Sequence, residues 1–266
     1  MYQAFYGLKT APFGKELKPQ DAFPSQSLKE SEARLEYLSR VRGMGLLVGE
    51  PGAGKTFALR VFCANLSPAL FKVIYLPLST GTVMDFYRGL VQGLGEEPGF
   101  RKIDLFHQIQ QAVQVLFRDK KITPVFILDE MHLASPKFLL DLALLFNFAM
   151  DAFNPFILVL AGLPFLLSRL ELNQTQSLAQ RLVVRFQLEP LSREEVGGYL
   201  EHHLSLAGAT RPLFEPPAVE AIASRSRGWP RLVNNLALTS LLWGAQLKAE
   251  IINAEIVRQA ATEIGL

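Results

Sequence analysis

The sequence predicts an α/β fold: a parallel five-stranded sheet with helices on both faces, followed by a small helical domain. Between Met44 and Glu189, short apolar runs alternate with longer stretches whose apolar residues recur every three or four positions, the pattern of βαβ units. After "LEPLS" at 188–192 only helical periodicity remains. At 266 residues, 49% hydrophobic and 20% charged, the chain is long and apolar enough to bury a substantial core and is unlike a disordered polymer.

The expected strands are "MGLLV", "KVIYLPL", "PVFILDE", "PFILVLAG" and "LVVRFQL", mostly rich in β-branched or aromatic residues, as buried parallel strands are. Between them lie four helical stretches, "KTFALRVFCANL", "TVMDFYRGLVQGLG", "DLFHQIQQAVQVLFRD" and "SPKFLLDLALLFNFAM". The later helices are "REEVGGYLEHHLSLAG", "PPAVEAIASRSRG", "WPRLVNNLALTSLLWGAQL" and "AEIVRQAATEIG", separated by glycine and proline, which end and start helices. The expected division is an N-terminal segment 1–26, an αβα core 27–190 and a helical domain 191–266.

"GEPGAGKT" satisfies G-x-x-x-x-G-K-[ST] between an expected strand and an expected helix. Glycines let backbone N–H groups converge on phosphate, and the helix N-terminus adds partial positive charge. Gly49, Glu50, Pro51, Gly52, Ala53, Gly54, Lys55, Thr56 and Phe57 are therefore the candidate nucleotide-binding residues. Lys55 is expected to reach the outer phosphates and Thr56 to ligate Mg²⁺. In "VFILDE", Asp129 and Glu130 end an apolar strand, where ligand sites of open α/β sheets collect. Asp129 is the second candidate for the metal, and Glu130 for orienting and activating the attacking water. The expected cofactors are ATP and Mg²⁺.

With these motifs in order, the chain resembles a P-loop NTPase of the AAA+ class, in the branch holding ExeA-like proteins and the transposition ATPases related to MuB, TniB and TnsC. "FYGLKTAPF", "FILDEMH", "LAQRLVVRF" and "SRGWPRLVNNL" carry the likeness along nearly the whole chain. The resemblance implies ATP hydrolysis, a C-terminal helical lid, and a second-sensor role for Arg231 of "GWPR" at the γ-phosphate. It implies that Arg181, with Arg185 as the alternative, is the arginine finger given to a neighbour's ATP, since a guanidinium fork matches phosphate oxygens. The opening segment would flank the adenine through Phe13, besides covering a core edge. Near Leu163 relatives tend to present a polar first sensor; a leucine cannot hydrogen-bond water or phosphate, so no residue is assigned there.

The same resemblance implies a homo-oligomer, ring or filament, on duplex DNA with a transposase as partner. Ser79, Thr80, Thr82 and Arg88 after the second strand, and Arg101 and Lys102 in "GFRKID", are the candidate DNA-binding residues, being groups that grip phosphates without reading bases; N-capping and solvated charge pairing are their alternative roles. An ExeA-like secretion-assembly ATPase is the second reading, expected to continue beyond the lid into a membrane segment and a cell-wall-binding region. A scaffold locked by ATP, with little hydrolysis, is the third. His107, His132, His202 and His203 show no metal-like spacing; His132 follows the acidic pair and is a candidate nucleotide sensor or an ordinary loop histidine. A formal net charge of +2 leaves nucleic-acid binding to local basic groups. The lone Cys63 excludes an intramolecular disulfide, and with no export signal or spanning segment legible, a cytoplasmic setting without membrane contact is expected.

Overall fold

A computed structural model describes residues 2–77 and 82–266. Its helices, in chain order, are α1 (Tyr2–Tyr6), α2 (Gln26–Val41), α3 (Lys55–Asn65), α4 (Val83–Leu94), α5 (Lys102–Arg118), α6 (Pro136–Leu145), α7 (Phe165–Leu170), α8 (Gln176–Gln180), α9 (Arg193–Leu206), α10 (Pro216–Ser226), α11 (Pro230–Gln246) and α12 (Ala254–Glu263). The strands are β1 (Gly43–Gly49), β2 (Phe71–Pro77), β3 (Thr123–Asp129), β4 (Ile157–Gly162) and β5 (Leu182–Leu188).

The chain divides into two compact units: Glu30–Pro51 with Lys55–Leu188, and the chain up to Lys29 with Gly52–Gly54 and Glu189–Leu266. In the first, the strands pair in parallel in the order β2-β3-β4-β1-β5. That order explains the composition of each strand. The central β1, β3 and β4 are buried at every position, so they read as unbroken apolar runs. The edge strands β2 and β5 are only partly covered and carry Lys72, Tyr75, Arg185 and Gln187. A core of Phe126, Phe146, Phe156, Leu105, Ile109 and Leu139 packs helices against one face of the sheet.

Two local differences from the expected elements have physical causes. α2 escapes a reading based on apolar runs because it is largely charged, yet Leu28, Ser31, Leu35 and Leu38 keep a buried stripe at helical spacing. α6 ends at Leu145 rather than continuing to Met150. Gln110 Nε2 donates to the carbonyls of Leu145 and Asn147, and Phe146, Phe148 and Phe156 turn into one ring cluster. Bonds and burial are thus gained by leaving the helix.

The second unit is helical, with its own core built from Tyr6, Phe13, Leu200, Val233, Leu241 and Ile256. Gly244 lets α1 approach α11: a Cβ there would lie 2.3 Å from both the Tyr6 hydroxyl and Ile252 Cδ1, while Tyr6 donates to the Ala249 carbonyl at 3.0 Å. α9 starts with a reciprocal cap between Ser192 and Glu195, which satisfies two N–H groups at that end.

His203 is enclosed in this core between Phe13 and Tyr199, and its Nε2 has no hydrogen-bond partner. Burial, with a smaller contribution from the neighbouring His202, pushes its imidazole down to about 4. The unfolded chain therefore binds a proton that the folded one refuses between pH 6.5 and 4. Stability from this group is complete above pH 6.5 and lost as pH falls toward 4, by about 3 kcal/mol. Urea titrations followed by the fluorescence of Trp229 and Trp243 at pH 7.5 and 4.5 should show that loss in the wild type and much less of it in His203→Phe; equal losses would contradict the assignment.

Candidate active site

Parallel strands bring their carboxyl ends to one edge. There Gly49 ends β1, Asp129 ends β3 and Gly162 ends β4, and β4 separates the other two strands. The phosphate loop leaves this edge from Gly49 and enters α3 at Lys55.

Gly52 and Gly54 have φ of +84° and +94°, a backbone that glycine adopts without steric cost. Lys55 is buried, and its Nζ donates to the carbonyls of Gly49 at 2.8 Å and Glu50 at 3.2 Å. The ammonium is held over the loop that it serves. Thr56 Oγ1 donates to Asp129 Oδ2 at 2.9 Å, linking the start of α3 to the end of β3. Phe57 is half-buried, with the Arg60 guanidinium 5.7 Å from its ring centre.

Asp129 is 2% exposed and has three donors: Thr56, the Glu130 N–H at 2.8 Å to Oδ1, and the Tyr75 hydroxyl at 3.3 Å to Oδ2. A buried carboxyl group is tolerable only with such partners. Tyr75 is absent from the candidates drawn from sequence, although a tyrosine near the carboxyl end of an apolar strand is a legible signal for a polar tip at the site. Burial first, then the charge and hydrogen bond of Asp129 and the charge of Glu130, push its phenol up to about 12, so it remains a donor at neutral pH.

Glu130 follows with φ +59°, a left-handed backbone that costs a non-glycine residue about 1–2 kcal/mol. Its side chain is half exposed. The next turn, Met131–Leu133, is clamped by Arg169 of α7, whose Nη1 donates to the carbonyls of His132, at 2.9 Å, and Ala134.

Thr56 and Asp129, joined by one hydrogen bond, form a donor set that fits magnesium, which takes few protein ligands and completes its shell with phosphate and water. Among the described residues no group of three His, Cys, Asp or Glu side chains is placed to hold a metal by itself. Cys63 of α3 is partly buried, its thiol pushed up to about 11, and gives no reactive thiolate.

Other sequence candidates lie elsewhere. Phe13 is enclosed in the helical core. Arg231 is exposed; its N–H donates to the Gly52 carbonyl at 3.2 Å, and a Cβ on Gly52 would lie 2.6 Å from Arg231 Cβ. Arg181 is mostly covered, bonded to the Ala143 carbonyl at 2.7 Å and paired with Asp151 at 2.9 Å, whereas Arg185 is exposed and donates to the Ala179 carbonyl. Thr82 caps α4 in a reciprocal box with Asp85, which also pairs with Arg88 at 3.5 Å. Arg101 grips Asp104 through two hydrogen bonds, and Lys102 pairs with Asp141 at 2.7 Å. Ser79 and Thr80 lie outside the described residues. Leu163, half-buried, follows Gly162 and offers no polar side chain.

The fold and this edge define a P-loop core of the AAA+ type: a glycine-rich loop between β1 and α3, a threonine bonded to a buried aspartate, and a glutamate beyond them. Residues 39–170 match the family model described as "AAA domain". The chain is 30% identical over 247 residues to general secretion pathway protein A of Aeromonas hydrophila, an alignment covering 91% of this chain and 44% of that protein; the chain thus spans less than half the length of this relative. Among solved structures, it is similar to Cdc6p of Pyrobaculum aerophilum, with a TM-score of 0.72, 18% identity and coverage of 94% of this chain and 70% of that one. It is also similar to the Aeropyrum pernix ORC1 protein, solved in complex with DNA, with a TM-score of 0.66, 19% identity and coverage of 93% and 69%.

The two loop glycines are separable by experiment. A methyl group on Gly54 would meet nothing within 4 Å, so Gly54→Ala should cost only its strained φ, about 1–2 kcal/mol. Gly52→Ala adds the collision with Arg231 and should unfold at distinctly lower urea by tryptophan fluorescence. Equal midpoints would show that the close approach is absent in solution.

Proposed function

We propose that this chain is an ATP-hydrolysing switch module that drives assembly of a partner complex, like the corresponding part of general secretion pathway protein A. The observation that carries hydrolysis is the bonded set of Lys55, Thr56 and Asp129 with Glu130 beside it. The alignment with the secretion protein, over 91% of this chain, supports the choice of output.

In the reaction, Lys55 leaves the Gly49 and Glu50 carbonyls for the outer phosphates, with the loop N–H groups around them. Thr56 and Asp129 would hold magnesium, which supplies neutralisation of phosphate charge. The oxygen of a water bonds to the γ-phosphorus as the bond from that phosphorus to the β,γ-bridging oxygen breaks, its electron pair staying on ADP. The water's proton passes to a Glu130 carboxylate oxygen, giving ADP and inorganic phosphate. Arg231 reports the γ-phosphate to the helical unit, and oligomers form head to tail, as sharing of one chain's site with the next chain's arginine requires. Exposure favours Arg185 as that arginine, because Arg181 already joins the end of α8 to Ala143 and Asp151.

The second reading is an oligomeric regulator on duplex DNA with a transposase partner, supported by the resemblance to the transposition ATPases and by the DNA in the ORC1 complex. Weighing against it, Arg88, Arg101 and Lys102 each pair with an aspartate of their own chain. No helix among the described residues is long and apolar enough to cross a membrane, and the cytoplasmic face of a membrane-bound assembly is the setting proposed.

ATP turnover with and without duplex DNA tests these readings. The wild type should hydrolyse ATP without stimulation by DNA, and Glu130→Gln should lose about 10²–10⁴-fold in rate while still binding nucleotide. DNA-stimulated turnover with steeply salt-dependent binding would favour the second reading, and a wild type that binds but never hydrolyses would leave an ATP-locked scaffold. The shared site predicts that inactive Lys55→Ala and Arg185→Ala chains recover activity when mixed; no recovery would reject Arg185 as the shared group.

A further inference from the structure

We infer that His132 is a positioning residue for Glu130, supplying from the acidic loop the polar group that is missing at Leu163. The inference rests on the hydrolytic reading above. His132 Nδ1 is buried without a hydrogen-bond partner, and the nearest acidic oxygen is Glu130 Oε2 at 3.4 Å. That separation allows a charge contact but lacks the alignment of a hydrogen bond, and an unsatisfied buried nitrogen is costly. The Glu130 side chain is half exposed, and the bond needs Oε2 only a few tenths of an ångström closer and better aligned.

The surroundings hold the imidazole rather than the carboxylate. Arg169 fixes the His132 carbonyl at 2.9 Å. The His132 backbone lies against the end of β4, where a Cβ on Gly162 would be 3.0 Å from its N–H nitrogen and 3.5 Å from its Cβ. The histidine therefore lies against the last residue of β4, one before Leu163, and within reach of Glu130. With its proton on Nδ1, the ring donates to Glu130 Oε2 and leaves Oε1 to receive the proton of the attacking water. The imidazole exchanges no proton in the step. Both the left-handed backbone of Glu130 and the clamp from Arg169 on the turn after it then serve one purpose, to fix the Glu130 carboxylate.

The test is steady-state ATP hydrolysis by wild type, His132→Ala, His132→Asn and the double variant His132→Ala/Leu163→Gln, with binding of a fluorescent ATP analogue and thermal melting measured alongside. The expected result is a fall in kcat of about 10- to 100-fold for His132→Ala, with KM, analogue affinity and melting temperature unchanged. Asparagine, whose amide N–H replaces Nδ1–H, should restore most of the rate, and glutamine at Leu163 part of it. Wild-type kcat in His132→Ala would overturn the inference, as would a loss seen as weaker binding or lower melting, or one that asparagine fails to repair. A wild type that binds the analogue without turning over ATP would overturn the hydrolytic reading itself, and the inference with it.

Discussion

A carboxyl group buried at the edge of a parallel sheet governs the active site. Asp129 is 2% exposed, and such burial costs several kcal/mol unless donors surround the group. Its donors come from three places: α3 through Thr56, β2 through Tyr75, and the following peptide through Glu130. Each therefore ties a separate piece of chain to the end of β3. The sheet order places β3 between β2 and β4, and the Thr56 bond from α3 spans the end of β4 to reach it.

The same arrangement keeps the reactive groups occupied. Lys55 rests on loop carbonyls and Thr56 on Asp129, so in the proposed reaction phosphate and metal would replace bonds that already exist. One residue beyond Asp129, Glu130 takes a strained left-handed backbone, and its carboxylate is the one proposed to face the reacting water.

Much of this is legible in the amino-acid order. Glycines at fixed spacing before a lysine and a threonine specify the loop because only that backbone cradles phosphates, and an acidic pair after a buried run specifies the edge. The central strands are plain because burial on both faces makes them uniformly apolar; α2 is not, because its buried stripe is thin and its surface charged. Tyr75 and Arg169 are not identified as partners by sequence, since the first acts on a residue far away along the chain and the second through backbone carbonyls, and the burial that leaves the His132 nitrogen without a partner arises only in the fold. The candidate DNA cations illustrate the opposite difficulty: the sequence leaves both phosphate contact and charge pairing open for Arg88 and Arg101, and the folded chain sets each against an aspartate three residues away.

The proposed function requires the buried edge to trade its internal bonds for ATP and magnesium. The most direct measurement of that exchange is a structure with magnesium, ADP and aluminium fluoride, a mimic of the transferring phosphoryl group. It should show Lys55 Nζ moved from the Gly49 and Glu50 carbonyls to phosphate oxygens, and magnesium at the Thr56 hydroxyl beside Asp129. Nucleotide bound elsewhere, or a loop in which Lys55 still bonds its carbonyls with the mimic in place, would contradict it.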